Sequence, residues 1–179
     1  MLRATTVVLL ALLCTPGSAA AEPAVWDVNG HWYELVQVGM LWNDARAAAE
    51  TMSFMGASGH LVTLTSQAEA DWVWALISEP FQGQEAVFIG AHQDPYNSRP
   101  ADANWRWVTD EPWDYANWGP GEPNDYAGYE EFVAEFKEDF QPMWNDSPGH
   151  DLFWFVVEYE YAASPVEGAT WPCIKAMYR

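Results

Sequence analysis

Residues 121–132 read GEPNDYAGYEEF and place Glu122, Asn124, Asp125, Glu130 and Glu131 within one short stretch. Gly121, Pro123 and Gly128 interrupt it, so neither a regular helix nor a regular strand can run through. Such a concentration of side-chain oxygens admits three chemistries: a solvated acidic loop capped by its own polar groups, a carboxylate pair for catalysis, or a cation site. A second cluster, Trp144-Asn145-Asp146, follows beyond a strand-like run, and a strand that runs out and back would bring the two together. Calcium takes roughly six to eight oxygens from carboxylates, amide carbonyls and water at about 2.3–2.6 Å. The candidate donors are all hard oxygens, no thiol is among them, and His150 alone makes a poor zinc set. As a metal site, the stretch therefore points to Ca2+. Pro123 stands between two candidate donors. A cis Glu122–Pro123 bond would turn both neighbouring side chains to one side, and cis bonds are almost confined to X-Pro.

Catalysis by Glu130 and Glu131 is disfavoured by geometry. A glycosidase needs its two acids facing across a substrate, roughly 5–10 Å apart, whereas successive strand residues point to opposite faces. The chain has no G-x-S-x-G elbow, no phosphate-binding loop and no evident Cys-His pair. It reads as a non-enzymatic protein.

These clusters need a scaffold, and the chain supplies two helical patterns followed by several strands. Gly30 to Val36 reads as an opening strand. Trp42, Ala45, Ala49 and Met52 recur at helical spacing. Ser66-Gln67-Ala68-Glu69 fits a capping box ahead of a second helix whose apolar face is Trp72, Val73 and Leu76. After Pro80 come short aromatic and branched runs: Val87-Phe88-Ile89, Trp105 to Val108, Phe132 to Phe136, and Phe153 to Tyr159. The expectation is an α+β domain with small antiparallel sheets. The stretch from Trp113 to Asp125 has no obvious element, and its aromatics Trp113, Tyr115 and Trp118 argue for an ordered, functional loop.

Composition narrows the partners. Net charge is −19, and between Asp110 and Glu160 stand 14 acids against one base, Lys137. That surface repels nucleic-acid phosphates and anionic membranes and suits divalent cations or plain solubility. Arg3, the apolar run Val7–Leu13 and Ala19-Ala20-Ala21 form a signal peptide over residues 1–21, too short to span a bilayer. Secretion to an extracellular, periplasmic or cell-surface location is expected, with one domain over 22–161 and a linker and tail over 162–179. Without Cys14 the mature chain keeps only Cys173 and can form no internal disulfide. Cys173 is free or pairs between chains, and the tail is a frayed terminus or a docking segment. Twelve tryptophans are the expected substitute for bridges. His31, His60 and His92 read as packing or surface residues.

Residues 29–159 resemble the C-type lectin-like domain family over nearly the whole mature chain. The motifs stand in family order: NGHWYELV, WNDARAAAETM, LVTLTSQAEADWVWALI, VFIGAHQD, WRWVTDEPWDYANWGPGEPN, WNDSP and FVVEYE. The resemblance implies that Glu122, Asn124, Glu130, Asn145 and Asp146 bind one calcium, which a sugar then coordinates through two neighbouring hydroxyls. Those same five side chains would bind the sugar, an amide donating through its NH₂ while its carbonyl holds the metal. Glu-Pro-Asn, rather than Gln-Pro-Asp, implies a mannose-, glucose- or fucose-type glycan on a glycoprotein or cell surface. An auxiliary metal site is partly matched by Asp94, Asp125 and Glu131, together with Glu130. Trp118 or Tyr126 would stack on a sugar face, while Trp105, Trp107 and Trp144 read as core. The implied function is a secreted calcium-dependent lectin; the alternative is a calcium-stabilised adhesion or protein-interaction module. Weak single sites gain from oligomers, though no coiled-coil neck is evident. The family's two disulfides would fall on Ala49 with Val157 and on Phe132 with Gly149, none of them cysteine. Each missing bridge is worth about 2–4 kcal/mol, which marks a divergent member of bacterial type.

Overall fold

The computed structural model describes residues 22–161. The expected leader over 1–21 and the tail over 162–179 with Cys173 lie outside the described residues. The architecture is α+β, as the order of patterns implied. β2 (Trp32–Met40) and β9 (Phe153–Glu160) pair antiparallel, with Trp32 opposite Tyr159, and so clamp the two ends of the domain together. β1 (Ala24–Val25) edges β2. β4 (Ala57–Leu61) pairs with β9 and carries β3 (Ser53–Phe54). β5 (Ala86–Gln93) runs parallel to β9, while β6 (Trp105–Trp107), β7 (Val133–Lys137) and β8 (Trp144–Ser147) extend the sheet antiparallel.

The helices cover opposite parts of this sheet because their apolar spacings differ. α1 (Trp42–Thr51) buries Trp42, Ala45 and Ala49, as its period required, and small alanines let it lie close to β4 and β9. α2 (Gln67–Phe81) buries Val73, Ile77 and Phe81 against Val87, Ile89 and Trp107. β5, covered from both sides, is buried at every position, so its run reads as continuously apolar rather than alternating.

At α2 the capping box forms only by half. Ser66 Oγ accepts from the Glu69 N–H at 3.2 Å. The Glu69 carboxylate instead accepts from the Thr65 N–H at 2.8 Å and the Tyr33 hydroxyl at 2.7 Å. The same hydroxyl stands 3.1 Å from Glu158, whose other oxygen accepts from the Thr63 N–H at 3.0 Å. Two buried carboxylates thus gain enough donors from β2 and the β4–α2 connection to be tolerated. Glu158 also takes His31 at 2.6 Å, and His60 faces Glu160 at 3.6 Å. The histidines read as packing or surface residues are therefore, at positions 31 and 60, partners of carboxylates.

The positions of the absent family bridges are filled by packing. Ala49 and Val157 both lie fully buried in the cluster around Trp42, Phe88 and Phe155. Phe132 packs on Tyr96 at 4.9 Å, and Gly149 takes a left-handed backbone (φ +69) that favours glycine, with a Cβ there standing a tight 3.1 Å from Trp42 and Val133. At roughly 25 cal/mol per Å², a ring burying about 150–250 Å² contributes on the order of 4–6 kcal/mol as an upper bound. That compares with about 2–4 kcal/mol for a bridge. Burial of a ring such as Trp42 is thus a gross term of the same order as one crosslink.

Candidate functional site

The long loop is ordered by its aromatics. Trp113, Tyr115 and Trp118 gather around buried Trp144 at centroid distances of 6.1, 5.7 and 5.8 Å, with Trp107 at 5.7 Å. The backbone is tied at the same point: Gly119 N–H donates to Trp144 O, and Trp144 N–H to Asn117 O, both at 2.8 Å. Residues 119–124 are consequently laid beside Asn145 and Asp146, the next residues of β8. The Glu122–Pro123 bond is cis.

Asp146, with no exposed surface, makes the junction. Its carboxylate accepts from the Asn124 N–H at 3.1 and 3.0 Å and from the Asp125 N–H at 3.0 Å. The two clusters separated in sequence are thus brought together, with Asp146 as the clasp. Beside them opens a cavity of about 260 Å³. Glu122, Asn124, Glu131, Asp139 and Asn145 supply its oxygens, Tyr126 and Phe140 line it with rings, and Lys137 is the one base in its wall.

Glu130 and Glu131 occupy places opposite to the expected ones. Glu130 is exposed and its Oε2 accepts from Asn97 Nδ2 at 2.8 Å, away from the cavity. Glu131 lines the cavity, and its Oε2 accepts from the Tyr126 N–H at 2.6 Å. The cause is the turn between them and Asn124: Asp125, Ala127 and Gly128 all take positive φ. That tight turn sets which of two successive residues faces inward, since neighbours in extended chain point to opposite sides. Of the auxiliary candidates, Asp125 and Glu131 are neighbours, the Glu131 N–H donating to Asp125 Oδ1 at 3.3 Å. Asp125 pairs with Arg99 at 2.5 Å and exposed Asp94 pairs with Arg106 at 2.9 Å, so each already has a cation of its own. Trp118 packs edge-on against Trp105 at 4.6 Å within the aromatic cluster, whereas Tyr126 lines the cavity and is 71% exposed.

The electrostatics favour a cation. Burial, and then the facing carboxylates of Asp146 and Glu131, push Glu122 up to about 7. Burial pushes Glu131 up to about 7 against the help of its Tyr126 hydrogen bond. Behind them Glu135, on β7, is pushed up to about 8 by burial. Glu122 Oε2 is buried with no hydrogen-bond partner. Among the described residues no three His, Cys, Asp or Glu converge to hold a metal by themselves. The amide oxygens of Asn124 and Asn145 are needed to complete an oxygen set, which fits a hard divalent ion rather than zinc. By sequence Glu131 reads as half of a carboxylate pair or as an auxiliary metal ligand, Lys137 as the lone base of an acidic segment, and Glu135 and Phe140 as ordinary strand and loop residues. Strand alternation from 131 to 137 was the available signal.

Comparison with known proteins agrees with this geometry. The profile described as "Lectin C-type domain" matches residues 39–156. The chain is 31% identical over 153 residues to halomucin of Haloquadratum walsbyi, covering 78% of this chain and 2% of that one. It is 32% identical over 120 residues to human lithostathine-1-alpha, covering 66% of each. The chain thus spans no more than about two thirds of either relative. Among solved structures, human lithostathine superposes with a TM-score of 0.65 at 25% identity, over 89% of this chain and 99% of that one. The cow CD23 carbohydrate-recognition domain, solved in the presence of GlcNAc2Man3 oligosaccharide, gives 0.57 at 27% identity, over 75% and 90%. With motif order, sheet topology and these matches in agreement, the chain belongs to the C-type lectin domain family.

Proposed function

We propose that this protein is a secreted, calcium-dependent carbohydrate-binding protein for mannose-, glucose- or fucose-type glycans, without catalysis. The observation that carries the reading is the convergence of Glu122, Asn124, Glu131, Asn145 and Asp146 beside one open cavity, where Lys137 is the single base among the lining acids. A bound calcium ion would supply further positive charge and take oxygens from two vicinal hydroxyls. Glu122 and Glu131 give up protons to hold it, and their carboxylates also accept from sugar hydroxyls. Asn124, exposed at the rim, offers its amide oxygen to the cation and its NH₂ to the ligand. Asp146 keeps the Glu122–Asn124 segment seated on β8. The rings of Tyr126 and Phe140 provide an apolar face for the sugar ring. The relative solved with a GlcNAc2Man3 oligosaccharide supports the mannose-type assignment. Retention on mannose resin, with release by EDTA and by free mannose, is the expected result. Retention indifferent to both would rule the reading out and leave the adhesion-module alternative.

A further inference from the structure

We infer that Glu135 is a positioning residue: by taking the amide donor of Asn145 from behind, it turns the Asn145 carbonyl oxygen toward the cavity. The inference rests on the calcium-site reading for its consequence but not for its geometry. Glu135 lies directly opposite Asn145 across the β7–β8 ladder. It is 2% exposed in a strand whose other buried residues, Val133, Ala134 and Phe136, are apolar. A carboxylate at such a place is costly unless it is bonded. Its Oε1 accepts from Asn145 Nδ2 at 3.2 Å, and the Ser147 side chain also stabilises the carboxylate. The second hydrogen of the same Nδ2 goes to the Asp146 carbonyl. With Nδ2 drawn toward Glu135, Oδ1 is the atom of Asn145 turned to the cavity that the residue lines.

One consequence follows. Glu135 fixes the orientation of a metal-holding group without touching the cavity, a role whose loss in other metal sites costs about 10–100-fold in affinity.

The test compares the wild type with Glu135→Gln, which keeps an acceptor of the same shape, and Glu135→Leu, which removes it. The first readout is the side-chain NH₂ signal of Asn145 in ¹⁵N NMR spectra of the calcium-free protein, assigned by its loss in Asn145→Asp. We expect a solvent-protected, shifted pair in the wild type, a moved but still protected pair in Glu135→Gln, and loss of protection in Glu135→Leu. The second readout is calcium affinity by titration calorimetry: a loss of about tenfold or more in Glu135→Leu, largely restored in Glu135→Gln. An Asn145 amide that exchanges freely in the wild type overturns the inference, as does one that is the same in all three proteins. If Glu135→Leu fails to fold, the wild-type protection and the shift in Glu135→Gln decide alone. A wild type that binds no calcium yet shows the protected amide would sink the calcium-site reading and leave the positioning role standing.

Discussion

Replacing Asp146 by alanine isolates the clasp between the loop and the sheet. Asp146 accepts from two backbone donors, the N–H groups of Asn124 and Asp125, and is fully buried. Hydrogen bonds to a charged group contribute about 1.5–3 kcal/mol each, so two give about 3–6 kcal/mol. Two features reduce the figure. Asn124 is exposed, so its N–H can turn to water, and removing Asp146 also removes a carboxylate that repels Glu122. The Asp125 N–H keeps its full penalty because Asp125 is 6% exposed. A net loss near the lower bound, about 3 kcal/mol, lowers Tm by roughly 10 °C for a domain of this size. The measurement is calorimetric unfolding in excess EDTA, so that cation binding plays no part. Asp146→Asn, which keeps one acceptor oxygen, should lose about half as much. A chelated Asp146→Ala protein melting within about 2 °C of the wild type would show that the loop is held by the tryptophan cluster alone.

Glu131→Gln should weaken calcium binding by about tenfold or more, while Glu130→Gln changes it less than threefold, both by titration calorimetry; the reverse order would restore Glu130 to the site. Asn145→Ala should abolish the rise in Tm that calcium produces, and an unchanged rise would remove that residue from the site. Glu122→Gln combined with Asn124→Asp should weaken binding to mannose-type sugars in a glycan array, and an unaltered preference counts against the specificity assignment. For pH, Glu122 and Glu131 are raised above their unfolded value of 4.5 to about 7. Burial lowers His60, but its Glu160 hydrogen bond and the Glu158 charge outweigh this and raise it from 6.5 to about 9. In every case the folded state holds the proton more tightly, so stability in EDTA is fully present below the unfolded values. It falls as pH climbs through about 7 and then 9. Calcium should reverse the first decline, because its affinity grows as Glu122 and Glu131 ionise. Urea unfolding across pH 5–9 that shows flat or rising stability in EDTA would contradict these assignments.

The sequence carried the fold through features that are local and periodic. Trp42, Ala45 and Ala49 at helical spacing, Ser66 three residues before Glu69, and the alternating or continuous apolar runs of the strands each encode one element. The two oxygen clusters were equally legible, because Glu-Pro-Asn and Trp-Asn-Asp are contiguous motifs whose meeting requires only one strand out and one back. What stayed hidden depended on backbone turns or distant partners. Choosing Glu131 over Glu130 needs the positive φ of Asp125 and Ala127, which neither residue type announces. Glu69 reads as half of a capping box because its partners Tyr33 and Asn29 lie far away in sequence. Glu135 sits in a run that reads as an ordinary strand, and only the register opposite Asn145 gives it meaning.

Loss of both family crosslinks places different demands on the two halves of the molecule. The half built on α1, β4 and β9 replaces its bridge with dense packing around Ala49 and Val157, which needs no ligand. The half that carries the cavity has less regular structure, and the segment from Trp113 to Asp125 is fastened by its aromatic cluster, by backbone bonds to Trp144, by Asp146 and by the Arg99–Asp125 pair. Its acids repel one another, with Lys137 the single base between Asp110 and Glu160. On the calcium reading, an ion present at about 100 times its dissociation constant adds about 2.7 kcal/mol to the folded state, comparable to the bridge that a cysteine pair at Phe132 and Gly149 would have supplied. Ligand binding and loop stability then become one quantity. In chelator, amide hydrogen exchange should accelerate across residues 119–131 and leave β2, β4 and β9 protected; uniform acceleration across the sheet would mean that the ion supports the whole domain rather than the loop.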